Sequence, residues 1–170
     1  MRTINCLVIH HSASKNDDVD SIRADHKKRG FADIGYHNVI GNGVKLPDGH
    51  ISAGRPHEKI GAGVFGANTG KLQVCMIGNF ESTVEGHTGP PSEAQLNALG
   101  HWLHTNMRRY GVPAAQVKGH KEVSIPGHGT LCPGNRTPLN LIRAWCAQER
   151  ENEAPAVGLH AYLLAHGWTP

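Results

Sequence analysis

No run in this sequence approaches the ~18 apolar residues that a membrane-spanning helix needs, so none is expected. The first residues, MRTINCLVIHH, carry one basic side chain and a short apolar run that ends in histidines. That reads as a first strand and not as a signal peptide. Cysteine is scarce: Cys6, Cys75, Cys132 and Cys146 contain no C-x-x-C pair. A chain of 170 residues builds its own core, so a disulfide framework is not called for, and the four read as reduced thiols. A strong excess of one charge is missing too, since 17 Lys and Arg face 14 Asp and Glu. A net charge of +3 fits an anionic polymer or surface as partner but gives no ground for expecting nucleic acid. There is no internal repeat and no low-complexity segment, so one domain is the expectation.

What the chain has in quantity is glycine (21), proline (10) and histidine (13). The first two predict many turns. Most of the histidines must be surface or packing residues, because a single metal site uses only a few.

Residues 4–10 are apolar on both faces, as in a central, doubly covered strand. Asp17, Asp18 and Asp20 lead into a helix over VDSIRADHKK, with Gly30 after its basic end. YHNVIG and HISAGR, separated by Asn42-Gly43 and Pro47-Asp48-Gly49, predict a hairpin, so part of the sheet is antiparallel. Leu72 to Phe80 reads as another buried strand. Ser92 and Gln95 form a capping box for a helix with Leu96, Leu99, Trp102 and Leu103 on one face, ended by Gly111 and Pro113. A short strand, VKGH, follows. Thr137 is expected to cap a third helix that begins at Pro138 and runs to about Gln148. The charged, Pro-containing break ERENEAPAVG then reads as a linker to a small amphipathic helix.

The stretch VKGHKEVSIPGHGTLCPG, from Val117 to Gly134, holds His120 at the end of a strand and Cys132 on a loop stiffened by Pro and Gly. An imidazole and a thiolate are good zinc ligands, but catalytic zinc takes three protein ligands and an open position. The histidines at the end of the first strand, His10 and His11, can supply the third. Adjacent strand residues point to opposite faces, so only one of them reaches the ion.

IHHSAS at 9–14, DIGYH at 33–37, GxxxxGxN at 61–68 followed by VCMIGN, GHKEV at 119–123 and TLCPGN at 130–135 occur in this order. Together they resemble the type 2 zinc N-acetylmuramoyl-L-alanine amidases. That family includes phage lysozyme-type amidases, bacterial muropeptide amidases and the peptidoglycan recognition proteins. The resemblance covers about residues 4–146. It implies zinc held by His10, His120 and Cys132, with His11 the poorer ligand. It implies a catalytic role for Tyr36 as donor to the oxyanion and for Thr130 as a second hydroxyl near the water or oxyanion. Read as residues alone, Tyr36 also fits a half-buried strand tyrosine, and Thr130 a brace for its loop. Asn68 and His128 are candidate substrate contacts, with His128 also a possible substitute ligand. Glu122 is either an acid–base group or half of an ion pair.

Two departures from the family pattern stand out. The family's loop usually carries a histidine where this chain has Gly63. The muropeptide amidases place a catalytic Glu where it has Cys75, which favours the tyrosine-using mechanism. The predicted elements sum to a single α/β domain with a mixed central β-sheet and helices on both faces, and the resemblance implies zinc at the strand ends. Residues 1–150 form the amidase domain and 151–170 a short C-terminal extension. The expected activity is cleavage of the amide between N-acetylmuramic acid and L-Ala of peptidoglycan. The protein is expected to be a monomer, made in a host cytoplasm as a phage or prophage endolysin and acting on the wall after release. The rival readings are a cytoplasmic amidase that recycles muropeptides and a non-catalytic recognition module without zinc.

Overall fold

The computed structural model describes residues 2–170. Its centre is β1, Cys6–His11, whose six residues are all buried. Both of its edges are paired as well: β1 runs parallel to β4 (Lys71–Met76) on one side and to β5 (Val117–Gly119) on the other. The hairpin expected in the middle of the first half is there as β2 (Asn38–Ile40) and β3 (Ile51–Ala53). With β2 parallel to β4, the order is β3-β2-β4-β1-β5, a mixed sheet with one antiparallel edge. The expected strand over 72–80 stops at Met76. Gly78 turns the chain at φ 148°, and the Asn79 and Phe80 amides bond to Thr88 and His11 instead of continuing the ladder.

Alternation along the strands divides the chemistry between the two faces. Leu7 and Ile9 of β1 lie level with Leu72 and Val74 of β4, and all four join the main core. The helices α2 (Glu93–Tyr110) and α4 (Leu139–Glu149) pack on that face through Leu96, Leu99, Leu103, Ile142 and Trp145. On the opposite face lie Cys6, Val8 and His10 of β1 and Gln73 and Cys75 of β4, with α1 (Val19–Lys28) nearby, packing Ile22 against Ile34, Val39 and Ile77. Helices thus cover both faces.

The capping signals work as physical chemistry requires. Ser92 Oγ accepts from Gln95 N–H while Gln95 Oε1 accepts from Ser92 N–H, and Gly111 ends α2 in the left-handed region at φ 67°. Asp18 and Ser21 form the same reciprocal cap on α1. The start of α4 differs from expectation: Pro138 itself sits at the cap position. Thr137 is buried one residue before the cap, where its hydroxyl donates to Pro133 O and braces the preceding loop, and no side chain caps α4.

The last helix, α5 (Leu159–Ala165), lies against α2 and α4. Its Leu159, Tyr162 and Leu163 are buried in the main core. Gly100 of α2 permits this approach, since a Cβ there would stand 2.8 Å from that of Leu159. Burying three such side chains is worth about 1.5–3 kcal/mol each. The connecting segment is tied down as well, with Trp145 Nε1 donating to Val157 O.

Candidate metal centre

Parallel pairing brings the C-terminal ends of β1, β4 and β5 to one edge of the sheet, where an α/β fold leaves room for a ligand. His10 sits on β1 one residue before its end. β5 stops at Gly119, and the next residue, His120, opens the one-turn helix α3 (His120–Val123). Cys132 comes from the loop between α3 and α4, which the bond from Lys121 N to Cys132 O (2.8 Å) holds against α3.

The side chains of His10, His120 and Cys132 converge, with one ligand atom from each lying within 4.8 Å of the other two. Among the described residues these three form the group able to hold a metal ion. Cys132 Sγ is 3.7 Å from His10 Nδ1, and the two imidazole centroids are 4.6 Å apart. His10 is fully buried and Cys132 nearly so. Burial, and then repulsion from His120, drives the His10 pKa well below the usual imidazole value. Burial also lowers that of His120. Both rings are therefore neutral, the form that binds a metal. Burial pushes the Cys132 thiol up to about 12, against the pull of the His11 N–H and of Lys121. A divalent cation is the charge that reverses this, since a coordinating thiol is deprotonated outright. The His11 N–H already points at Sγ, at 3.3 Å, and is a ready partner for a thiolate.

His11 turns to the other face. Its Nδ1 accepts from Phe80 N–H (3.1 Å), and it stands outside the donor group. Tyr36 lies just before β2 with its ring centroid 4.8 Å from that of His10. Burial raises its pKa well above the usual phenol value, so it is a proton donor at any ordinary pH. Thr130 Oγ1 accepts from Cys132 N–H (3.1 Å), which leaves its own proton free to donate. Cys75 is buried at the position level with His10 on β4, and its thiol pKa is pushed well up by burial. Glu122 accepts from Gly119 N–H at 2.8 Å and pairs with Arg143 at 2.9 Å, the ion-pair alternative.

The two candidate substrate contacts sit differently. His128 is exposed on the rim, stacked on the exposed Phe65 with centroids 4.0 Å apart. Asn68 turns its Oδ1 inward, where it accepts from Val64 N–H and Gln73 Nε2, both at 2.9 Å. Sequence reasoning overlooked Gln73, although a polar residue inside the buried run LQVCM was a readable signal. It also gave no reason for a glycine at position 63, which the structure supplies. A Cβ at Gly63 would stand 2.2 Å from Gln73 Oε1, 2.9 Å from the Tyr36 ring and 3.2 Å from His10.

A mixed α/β sheet with two imidazoles and a thiol gathered at its strand ends has the donor set of a zinc hydrolase. Comparison with known proteins agrees with this class. The profile of the N-acetylmuramoyl-L-alanine amidase family matches residues 1–135. An endolysin of Enterobacteria phage K11 is 33% identical over 121 residues, 68% of this chain and 74% of the relative. The solved N-acetylmuramoyl-L-alanine amidase LysC from Clostridium intestinale URNW superposes with a TM-score of 0.66 at 33% identity, covering 84% of this chain and 85% of that one. Drosophila peptidoglycan recognition protein SD gives 0.67 at 27% identity, covering 85% and 82%. The chain belongs to the type 2 N-acetylmuramoyl-L-alanine amidase family, and its activity is that of a peptidoglycan amidase. No helix among the described residues is long and apolar enough to cross a membrane.

Proposed function

We propose that this amidase uses zinc held by His10, His120 and Cys132 to cut the amide between the lactyl group of N-acetylmuramic acid and L-Ala of the stem peptide. The observation that carries the reading is the convergence of two neutral imidazoles and one thiol, within 4.8 Å, at the strand ends. That mixture of soft sulfur and imidazole suits zinc. Bound there, zinc supplies Lewis acidity, polarising the amide carbonyl and making water a usable nucleophile near neutral pH. The protein does the rest. Tyr36, held protonated beside His10, donates to the oxygen on which charge develops. Thr130, anchored by the Cys132 amide, aims a second hydroxyl proton at the same region. Asn68 shapes the loop over the site, and His128 with Phe65 offers a stacking surface to substrate at the rim.

Residues 1–150 carry every group given a role here, and 151–170 are an extension packed on the helical face. The biological setting favoured is that of an endolysin, a monomer made in a host cytoplasm that meets the wall after release. Endolysin relatives from phages K11 and T7 support it. The complete donor set speaks against a recognition module that has given up its metal.

The test is product analysis of digested peptidoglycan. New amino groups on L-Ala, free stem peptides and intact glycan are expected, with loss of activity on chelation and recovery with zinc. New reducing sugars without new amines would overturn the reading.

A further inference from the structure

Two buried polar atoms on the site face lack a partner, and they belong to neighbouring side chains: His10 Nε2 and Gln73 Oε1. Both side chains are fully buried, project from adjacent strands on the same face and lie against Gly63. A buried group without a hydrogen bond is costly. Each of these supplies what the other lacks, a ring nitrogen that can donate and a carbonyl oxygen that can only accept.

The orientation of the amide is fixed from the far end. Val64 N–H can only donate, so the Asn68 atom it meets, 2.9 Å away, is the oxygen. That same oxygen is 2.9 Å from the Gln73 amide, so the Gln73 atom there is the NH2 group. What remains for His10 is the Gln73 carbonyl, which can only accept. His10 must then carry its proton on Nε2. Its other nitrogen, Nδ1, is the one facing Cys132 Sγ.

We propose that Gln73 is a positioning residue of the metal centre: its Oε1 accepts from His10 Nε2–H and fixes the tautomer that presents Nδ1 to the ion. Val64, Asn68 and Gln73 form the relay that sets this orientation. The absence of a side chain at Gly63 keeps open the space that the amide fills. The proposal rests on zinc occupying the three donors. Outer-shell partners of this kind typically change metal affinity by about 10–100-fold.

The experiment compares zinc affinity, by chelator competition, in the wild type, Gln73→Met and Gln73→Glu. Nitrogen NMR of the His10 ring is recorded on the metal-free and zinc-loaded wild type. Met fills a similar volume without a strong acceptor, whereas Glu keeps one. The expected result is an affinity loss of about 10–100-fold for Gln73→Met and a near-normal value for Gln73→Glu. The wild-type ring should show Nε2–H in both states, a readout that needs no variant to fold. A folded Gln73→Met protein with wild-type affinity, or a ring protonated on Nδ1 in the metal-free protein, would overturn the positioning role alone. A wild type that binds no zinc would overturn the metal assignment together with it.

Discussion

Two neighbouring pairs of buried or half-buried histidines, His37 with His57 and His10 with His120, differ in what their ring nitrogens meet. His37 Nδ1 accepts from Gln73 N–H at 3.0 Å and its Nε2 meets Lys59 O at 3.1 Å. His57 Nδ1 meets the Tyr110 hydroxyl and its Nε2 meets Asn38 Oδ1, both at 3.0 Å. That pair is a satisfied network, with Trp102 Nε1 also donating to Asn38. The other pair, His10 and His120, lies with tilted rings 4.6 Å apart beside a thiol, and His10 Nδ1 faces Cys132 Sγ at 3.7 Å where the first pair has nitrogen and oxygen partners. Burial lowers the pKa in both pairs. Burial alone therefore does not mark the site. The convergence of metal-binding donors with capacity to spare does.

Breaking the cluster of converging donors gives the largest effect. His120→Ala or Cys132→Ala should remove essentially all amidase turnover and weaken zinc retention while the fold survives, because neither residue belongs to the main core. His11→Ala should keep its zinc, since His11 faces Phe80 and lies outside the donor group. Metal analysis of the purified variants checks this, and a Cys132→Ala protein that keeps stoichiometric zinc would break the comparison.

Next comes Tyr36→Phe, which keeps the ring and removes the donor. Losing one oxyanion donor costs about 10²–10³ in turnover. The loss should appear equally in kcat and kcat/KM, with zinc content and peptidoglycan binding unchanged. Thr130→Val should show a smaller defect of the same kind. Near-normal turnover in Tyr36→Phe would make that residue a packing tyrosine.

The satisfied pair should answer only in stability. His57→Phe takes the ring partner from the Tyr110 hydroxyl, while Asn38 Oδ1 keeps Trp102 Nε1, and should cost about 1–3 kcal/mol, with zinc content and kcat per folded molecule intact. The pH dependence sharpens the contrast. His37 titrates at about 4 in the folded protein, against an ordinary value of 6.5. Below 6.5 the unfolded chain takes up the proton first. The stability His37 contributes is thus present above pH 6.5 and lost as pH falls towards 4, about 3 kcal/mol in all. Thermal unfolding of the metal-free protein across that range should show the loss, with a shallower slope in His37→Gln.

Much of this was legible in the sequence, for identifiable reasons. Capping at Ser92, the Asn42-Gly43 turn and the doubly apolar β1 are local signals, and local physics decided them. The candidate donors could be named from ordered motifs, and the fold brings them together although His10 and His120 are 110 positions apart. What the sequence hid were contacts between distant segments. The charged break after Gln148 looks like an end to the core, yet Leu159, Tyr162 and Leu163 beyond it are buried against α2 and α4. Nothing local to α5 says that Gly100 leaves room for it. Thr137 had the chemistry of a cap, but the helix starts one residue later and Thr137 braces the loop through Pro133 O instead. Gln73 passed for part of an apolar strand because its value depends on Asn68, Gly63 and His10, which only the fold brings together.

The central claim is that the converging cluster of His10, His120 and Cys132, and not the hydrogen-bonded pair, is the metal centre. X-ray absorption at the zinc edge of the purified protein tests it most directly. The account predicts one zinc per chain with a single sulfur at ~2.3 Å and two imidazole nitrogens at ~2.0 Å, and loss of the sulfur shell in Cys132→Ser. A zinc shell without sulfur, or one built from three or more imidazoles, would contradict it.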